Sequence, residues 1–381
     1  MSEWNEVRLG ELIDINPETL SISKYNGRIQ YIDISSVNCG QLDGYTEYDI
    51  SDAPSRARRI IRNNDIIYST VRPNLRAYYY VKNCPDNAIC STGFAVLRAK
   101  DNVDSRFVYS LVTENSFVDY LSLVAKGSAY PAADTADFKK AKVTVPDLPT
   151  QNRIADILSG YDDLIENNNR RIALLEKAAQ ELYKEWFVRF RFPGHETAKF
   201  ENGLPEGWKV EKLGKLCKII TGKKDANEAT GQGVYPFFTC ARETTTFTDE
   251  YILDTDAILI SGNGSYTGLV KKHSGKFDLY QRTYALFDFE NIEWLYAYWN
   301  LKINFEREFM GGSRGSAIPY ITRPNIEKFK VVVPAKELMV KAQEIFEAIH
   351  NECSSLERKN KNLTKQRDLL LPRLMSGKLE V

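Results

Sequence analysis

The sequence predicts an α+β protein with a pseudo-twofold internal repeat: two similar α/β domains separated by an antiparallel coiled coil of two helices. Three observations support this prediction. One segment of the chain recurs at a fixed offset, a heptad pattern follows each copy, and short β-type runs alternate with turn residues in each half.

Each copy of the repeat spans about half of the chain. Gly127–Pro146 matches Gly315–Pro334 at nine of twenty positions, 188 residues later, without a gap. The beginnings match too, because Trp4 and Trp208 are each followed at the same spacing by a Leu-Gly pair. Twice 188 nearly exhausts the 381 residues, which excludes a short solenoid unit. We therefore predict domains at 1–147 and 208–334, a first long helix at 148–192, a linker at 193–207, and a second long helix with a C-terminal tail at 335–381.

A heptad seam follows each domain. Apolar positions spaced by three and four residues run from Ile154 through Ile157 to Trp186, and a second seam starts at Ile345. An apolar stripe on a helix about 50 Å long has to be covered, so we expect the two helices to pack on each other. If a pseudo-twofold axis relates the two halves, this helix pair is antiparallel. Pro372 is expected to end the second helix, with the tail returning to the first domain. The predicted seam residues are Ile154, Tyr161, Asn168, Leu175, Leu182, Ile349, Leu356, Leu363 and Leu370.

Inside the domains, hydrophobic runs bounded by turn residues predict short strands. Short helical stretches are predicted around Ser105–Val124 and Ile292–Phe309. The predicted strands are Ile66–Tyr68, Phe94–Leu97, Ala257–Ile260, Tyr284–Phe287 and Lys330–Val333.

Composition limits the classes of function. The 51 Lys and Arg residues balance 51 Asp and Glu residues, so any nucleic acid has to be bound by local patches. The N-terminus lacks a signal-peptide pattern and no apolar run reaches about 18 residues, so a cytoplasmic protein without membrane contact is expected. The six cysteines are scattered without a CxxC pair, which favours reduced thiols over a disulfide framework or a zinc site.

Motifs for catalysis are missing from the sequence. The three histidines have no second His or Cys at a metal-binding spacing, and there is no P-loop and no Asn-Pro-Pro-Tyr/Phe tetrapeptide. The glycine-rich run Ser261–Gly268 is a weak candidate for a nucleotide cradle and is better explained as a surface loop. We therefore predict no catalytic residue, no metal ligand and no cofactor in this chain.

Basic and polar loops with interleaved aromatic residues are the remaining candidates for binding. Arg and Lys neutralise phosphates, while Arg and Asn also pair with base edges. Any single charge is more simply explained as solvated surface, but the groups recur in both halves. The paired Gly-Ser-Ala-x-Pro loops fit a binding loop or a structural turn equally well. The candidate DNA-binding residues are Arg56, Arg58, Arg59, Arg72, Asn74, Arg76, Lys126, Ser128 and Tyr130 in the first half, and Lys223, Lys224, Arg242, Asn263, Ser265, Tyr266, Arg282, Arg314 and Ser316 in the second.

Taken together, these features resemble the specificity subunit of type I restriction-modification systems. The resemblance rests on the duplicated order of domain and heptad helix, on the segment from Leu204 to Gly214 that opens the second half, and on Leu370–Leu379 near the end. It implies two target recognition domains, each reading one half of a bipartite double-stranded DNA site. It also implies that the paired helices act as a ruler and bind two methyltransferase subunits.

The resemblance also implies partners that carry the chemistry. The methyltransferase subunits would bring S-adenosylmethionine for adenine N6 methylation, and restriction subunits would bring ATP, Mg²⁺ and DNA cleavage. The chain itself would be a non-catalytic subunit. The alternative is an adaptor for nucleic acid or protein, with two binding modules on a coiled-coil spacer outside a restriction system; the missing motifs disfavour a self-contained nuclease or methyltransferase.

Overall fold

The computed structural model describes residues 4–21, 25–128, 130–229, 233–242, 244, 246–310 and 320–381. The chain divides into two compact units. The first unit comprises Met1–Asn168 and Arg358–Val381, and the second comprises Asn169–Glu357. Each unit therefore contains one mixed α and β domain together with part of both long helices.

The first domain contains two four-stranded sheets, with strand orders β2-β11-β8-β9 and β6-β3-β10-β7, and a β1-β12 pair. Pairing is antiparallel except between β3 and β10. Tyr68, Phe107 and Phe138 are fully buried in its core. The elements are β1 Asn5–Arg8, α1 Leu9–Leu12, β2 Ile13–Ile15, β3 Arg28–Ile32, β4 Val37–Asn38, β5 Gln41–Leu42, β6 Thr46–Asp49, β7 Ala57–Ile60, β8 Ile66–Ser69, β9 Tyr78–Tyr80, β10 Ala88–Ser91, β11 Phe94–Ala99, α2 Ser105–Thr113, α3 Asn115–Val124, α4 Thr135–Lys140 and β12 Lys142–Val145, followed by the first long helix, α5 Leu148–Tyr183.

The second domain repeats this topology. Its sheets have the orders β16-β23-β20-β21 and β18-β17-β22-β19, and β15 pairs with β24 as β1 pairs with β12. The parallel pair recurs as well, between β17 and β22. The elements are β13 Phe200–Glu201, β14 Leu204–Pro205, β15 Lys209–Lys212, β16 Lys218–Thr221, β17 Tyr235–Phe238, β18 Phe247–Thr248, β19 Leu253–Asp254, β20 Ala257–Ser261, β21 Val270–His273, β22 Lys276–Leu279, β23 Thr283–Phe287, α6 Trp294–Asn300, α7 Glu306–Phe309, α8 Arg323–Lys328, β24 Lys330–Val333 and the second long helix, α9 Lys336–Met375.

The predicted strands all lie within observed strands, and each of the two regions predicted to hold short helical stretches contains more than one helical segment. Glu114 has extended backbone, with φ −62° and ψ 148°, and this residue divides Ser105–Val124 into α2 and α3. The helical region predicted around Ile292–Phe309 begins at Trp294 and contains a π turn, Leu301–Phe305, between α6 and α7.

The two long helices pair in antiparallel orientation, as predicted. In the first unit, Arg367 lies 2.6 Å from Asp162, and the Asn168 amide donates to the Asn360 amide oxygen at 2.8 Å. Residue numbers therefore rise along α5 as they fall along α9. In the second unit, Arg171 pairs with Glu352 at 2.8 Å.

Burial along the predicted seam is uneven. Ile154 and Leu356 are buried, whereas Tyr161, Asn168, Leu175, Leu182, Ile349, Leu363 and Leu370 are half-buried. The seam positions Ile157 and Ile345, which are related by the 188-residue offset, are each 39% exposed. Their neighbours Leu158 and Phe346 are buried in the domain cores instead. Near the domains, packing against the sheets therefore selects the buried face of each helix.

Both long helices end differently from the prediction. The first ends at Tyr183 and continues as a π turn, Lys184–Val188, and not as helix to residue 192, because Phe190 adopts the left-handed conformation with φ 56°. The second does not end at Pro372 but reaches Met375. Proline removes a single donor there, and burial of Leu374 and Met375 in the first domain's core stabilises the last turn. The tail does return to the first domain.

Candidate nucleic-acid interface

The loop between β8 and β9, residues 70–77, carries three of the candidate residues; we call it loop A. Arg72 and Arg76 both have left-handed backbone, with φ 49° and 56°, on either side of a 3₁₀ turn, Pro73–Leu75. Such a conformation costs a non-glycine residue about 1–3 kcal/mol and often marks functional sites. Asn74 and Leu75 are exposed at the tip of this ordered loop.

Loop A contacts the Gly-Ser-Ala-x-Pro segment of the first domain. Val71 and Lys126 each form a β-bridge with Ala132, and the Arg72 amide donates to the Pro131 carbonyl at 2.7 Å. The Arg72 guanidinium stacks over the Tyr130 ring, 4.6 Å from its centre. The structure thus joins two groups that are more than fifty residues apart in the sequence. The segment is both a structural turn and a candidate binding surface.

Further candidate residues surround loop A. The Thr70 amide donates to the Gly93 carbonyl, and the neighbouring Thr92 amide donates to the Arg56 carbonyl. Arg56 is therefore linked to loop A through the segment Thr92–Gly93. Arg56, Lys126 and Ser128 are exposed, while Arg76 donates to the Asn115 side chain. Asn115 was not predicted, because its proximity arises only when α3 packs beside the loop.

The corresponding loop of the second domain, residues 262–269 between β20 and β21, has a similar backbone; we call it loop B. Gly264 and Gly268 have φ 81° and 89°, at the positions equivalent to Arg72 and Arg76. Backbone hydrogen bonds repeat at an offset of 192: Ser69 and Ser261 donate to the carbonyls of Ala77 and Leu269. Loops A and B are therefore equivalent, and four residues added to the 188-residue offset align their sequences.

Cations also surround loop B. The Gly262 amide donates to the carbonyl of Arg282, and this carbonyl accepts a hydrogen bond from Cys240 at 3.3 Å. The Lys271 ammonium donates to the carbonyl of Ala241, which precedes Arg242. Arg242 and Arg282 are exposed, as are Ser265 and Tyr266 at the loop tip, and Asn263 is half-buried. Asn263 forms a β-bridge with Tyr320, while the predicted Arg314 and Ser316 lie outside the described residues.

Other candidates lie apart from the loops or hold the fold together. Lys224 pairs with the nearly buried Asp278 at 2.8 Å, and this hydrogen bond raises the pKa of Lys224. Lys224 is therefore a structural cation, whereas the adjacent Lys223 is exposed. Arg58 and Arg59 are half-buried on β7, in the other sheet of the first domain, where they donate to the Ala57 carbonyl and the Thr19 hydroxyl.

Comparison with known proteins identifies the family. A family model described as the type I restriction modification DNA specificity domain matches residues 1–177 and 205–366. The chain belongs to this family. The two matched segments correspond to the two halves of the repeat.

Individual relatives agree with this membership. The chain is 25% identical to the type I restriction enzyme HindI specificity subunit of Haemophilus influenzae, over 100% of both chains. It is 37% identical to the EcoDI specificity subunit of Escherichia coli, over 46% of this chain and 39% of that one. A crystal structure of a type I restriction-modification system S subunit from M. genitalium is similar in fold, with a TM-score of 0.58 and 18% identity over 98% of this chain and 96% of the other.

Family membership assigns this chain to DNA target recognition in a type I restriction-modification system. Its relatives are specificity subunits, which are non-catalytic. Within the part of the chain that the structure describes, no helix is long and apolar enough to cross a membrane. The duplicated loops A and B provide exposed surfaces where DNA recognition can take place.

Proposed function

We propose that each domain reads one half of a bipartite double-stranded DNA site and that the chain directs two methyltransferase subunits and the restriction subunits to that site. The equivalence of loops A and B carries the proposal, because each domain presents exposed side chains at the same loop, Arg72 and Asn74 in loop A and Ser265 and Tyr266 in loop B, with exposed cations close by. We assign DNA reading to the domains predicted at 1–147 and 208–334. The complex acts in the cytoplasm.

The candidate residues of the two domains divide into two roles by their chemistry. In loop A, Arg72, Asn74 and Arg76 are suited to base edges, because guanidinium and amide groups make paired hydrogen bonds there. In the second domain this role belongs to Asn263 and, outside the described residues, Arg314. Exposed cations beside the loops, such as Arg56 and Arg282, contact phosphates and set the register on the duplex.

The partners supply the chemistry. Methyltransferase subunits bind S-adenosylmethionine and methylate adenine at N6, and restriction subunits use ATP and Mg²⁺. This chain positions those activities on the target. Because its formal net charge is zero, the isolated chain binds DNA weakly and in a salt-dependent manner, and tight binding requires the partner subunits.

Mapping methylated adenines tests the proposal. The full chain is expressed with its partner methyltransferase in cells that lack other adenine methylation, and the genomic DNA is sequenced for N6-methyladenine. The expected result is one asymmetric motif in two halves separated by a fixed spacer. A chain that co-purifies with no methyltransferase and produces no bipartite motif would instead be an adaptor outside a restriction system.

A further inference from the structure

We propose that Arg72 and Tyr130 form one reading pair that recognises a guanine in the first domain's half-site, with Tyr130 as the positioning residue. This inference rests on the proposed function, since it names the base that loop A recognises. It is carried by a stacked contact, a backbone conformation and a paired difference between the two domains.

A contact with an aromatic ring holds the end of the arginine side chain. The Arg72 guanidinium carbon lies 4.6 Å from the centre of the Tyr130 ring, and this ring is 70% exposed. The two residues are joined at the backbone as well, because the Arg72 amide donates to the carbonyl of Pro131. The ring holds the guanidinium in place, and a guanidinium carries its hydrogen-bond donors in its own plane. A flat fork held in this way matches O6 and N7 of guanine.

The backbone at Arg72 favours glycine. Arg72 has φ 49°, and the equivalent residue in loop B is Gly264, with φ 81°. Glycine adopts this conformation without the steric penalty that a side chain incurs. The first domain therefore has an arginine where the shared loop fold alone would favour glycine. The function of the side chain explains this choice.

The two members of the pair are both absent from the second domain. In the repeat, Tyr130 aligns with Ile318, just as Arg72 aligns with Gly264. Ile318 lies outside the described residues, so this comparison concerns sequence alone. The joint replacement is expected if the two residues act as a unit and the two halves read different bases.

Recognition of a base explains the geometry better than a phosphate contact. A phosphate accepts hydrogen bonds from a mobile cation over a wide range of directions, whereas a base edge requires a planar donor in a fixed orientation. Exposed cations for phosphate contacts are already present nearby in Arg56 and Lys126. The aromatic support of Arg72 adds orientation and not charge.

The test measures base preference position by position. The full chain, in complex with its methyltransferase partner, selects from duplexes in which the target site is randomised, and the bound DNA is sequenced. With the wild type we expect a guanine preference at one position of one half-site. Arg72→Gly is expected to reduce that preference about 5- to 150-fold, leave the other positions unchanged and cause no loss of thermal stability.

Variants of Tyr130 separate positioning from folding. Tyr130→Leu should weaken the same guanine preference, whereas Tyr130→Phe, which keeps the aromatic ring, should retain it. Asn83→Gly is the matched control, because Asn83 is another exposed residue of the first domain with positive φ, at 50°. It should leave every preference unchanged.

Three results would overturn the proposed reading pair. The guanine preference could be unchanged in Arg72→Gly, binding could fall equally at all sequences, or the preference that is lost could be for a base other than guanine. Equal behaviour of Tyr130→Leu and Tyr130→Phe would remove the positioning role. If the wild type shows no sequence preference at any position, the proposed function itself fails. A bipartite preference that Arg72→Gly leaves intact refutes only the reading pair.

Discussion

Individual charges of the first domain fall into those that hold the fold and those that face solvent. Arg98 donates two hydrogen bonds to Asp65, at 2.7 and 2.8 Å, and the Asp65 side chain is only 1% exposed. Arg98→Met leaves this carboxylate buried without its cation and is expected to lower the free energy of unfolding by about 3–5 kcal/mol. Arg62→Met, at a side chain that is 61% exposed, should cost less than Arg98→Met, because solvent screens an exposed ion pair. Urea unfolding measures both, and similar losses would contradict this division.

The ion pairs that join Glu18 to Arg62 and Arg98 predict a pH dependence of stability. Hydrogen bonds from Arg62 and Arg98 lower the pKa of Glu18 from 4.5 to about 2. A lowered pKa stabilises the folded state above pH 4.5, and this contribution disappears as the pH falls toward about 2. Glu18→Gln should therefore flatten the fall in melting temperature over this range. Glu47→Gln, at a half-exposed carboxylate that pairs with Arg28, is the control and should leave the slope unchanged.

Phosphate contacts should differ from base contacts in their salt dependence. Arg282 is exposed beside loop B, and its carbonyl is bound by the Gly262 amide. Arg282→Gln is expected to weaken binding of the complex equally at all DNA sequences and to reduce the slope of log K against log salt by about 1. Fluorescence anisotropy at several salt concentrations measures this slope. A loss confined to one half-site would assign Arg282 to base reading.

Among the elements, the two long helices are joined by a polar pair inside their seam. The Asn168 amide donates to Asn360 at 2.8 Å. Asn168→Leu leaves a partly buried amide beside leucine and should cost about 1–3 kcal/mol. The double variant Asn168→Leu/Asn360→Leu removes both polar groups and should recover most of that loss. Thermal unfolding of the wild type, the two single variants and the double variant gives the interaction free energy of the pair. Additive losses in the single variants would mean that the pair makes no specific contribution to stability.

The sequence predicted elements better than contacts between elements. Periodicity located β8, β11, β20, β23 and β24, and the heptads located both long helices, because each pattern is local. The exposure of Ile157 and Ile345 was missed, since the domain cores bury Leu158 and Phe346 instead. The contact of Arg72 with Tyr130 was also missed. It depends on a β-bridge between Val71 and Ala132, which local pattern does not encode.

For the whole molecule, the family resemblance implies that the length of the helix pair sets the length of the spacer between the two half-sites. The observed register of the two helices shows which residues have to be deleted together to test this. Asn168 contacts Asn360, so removal of 165–171 from α5 and 357–363 from α9 deletes one heptad from each helix opposite the other. Each helix loses about 10 Å, which corresponds to about three base pairs of DNA. We expect methylome mapping to show a changed spacer, or loss of methylation, with any remaining half-sites unaltered. Deletion of 165–171 alone should disrupt the pairing and lower thermal stability, and an unchanged spacer in the double deletion would refute the ruler.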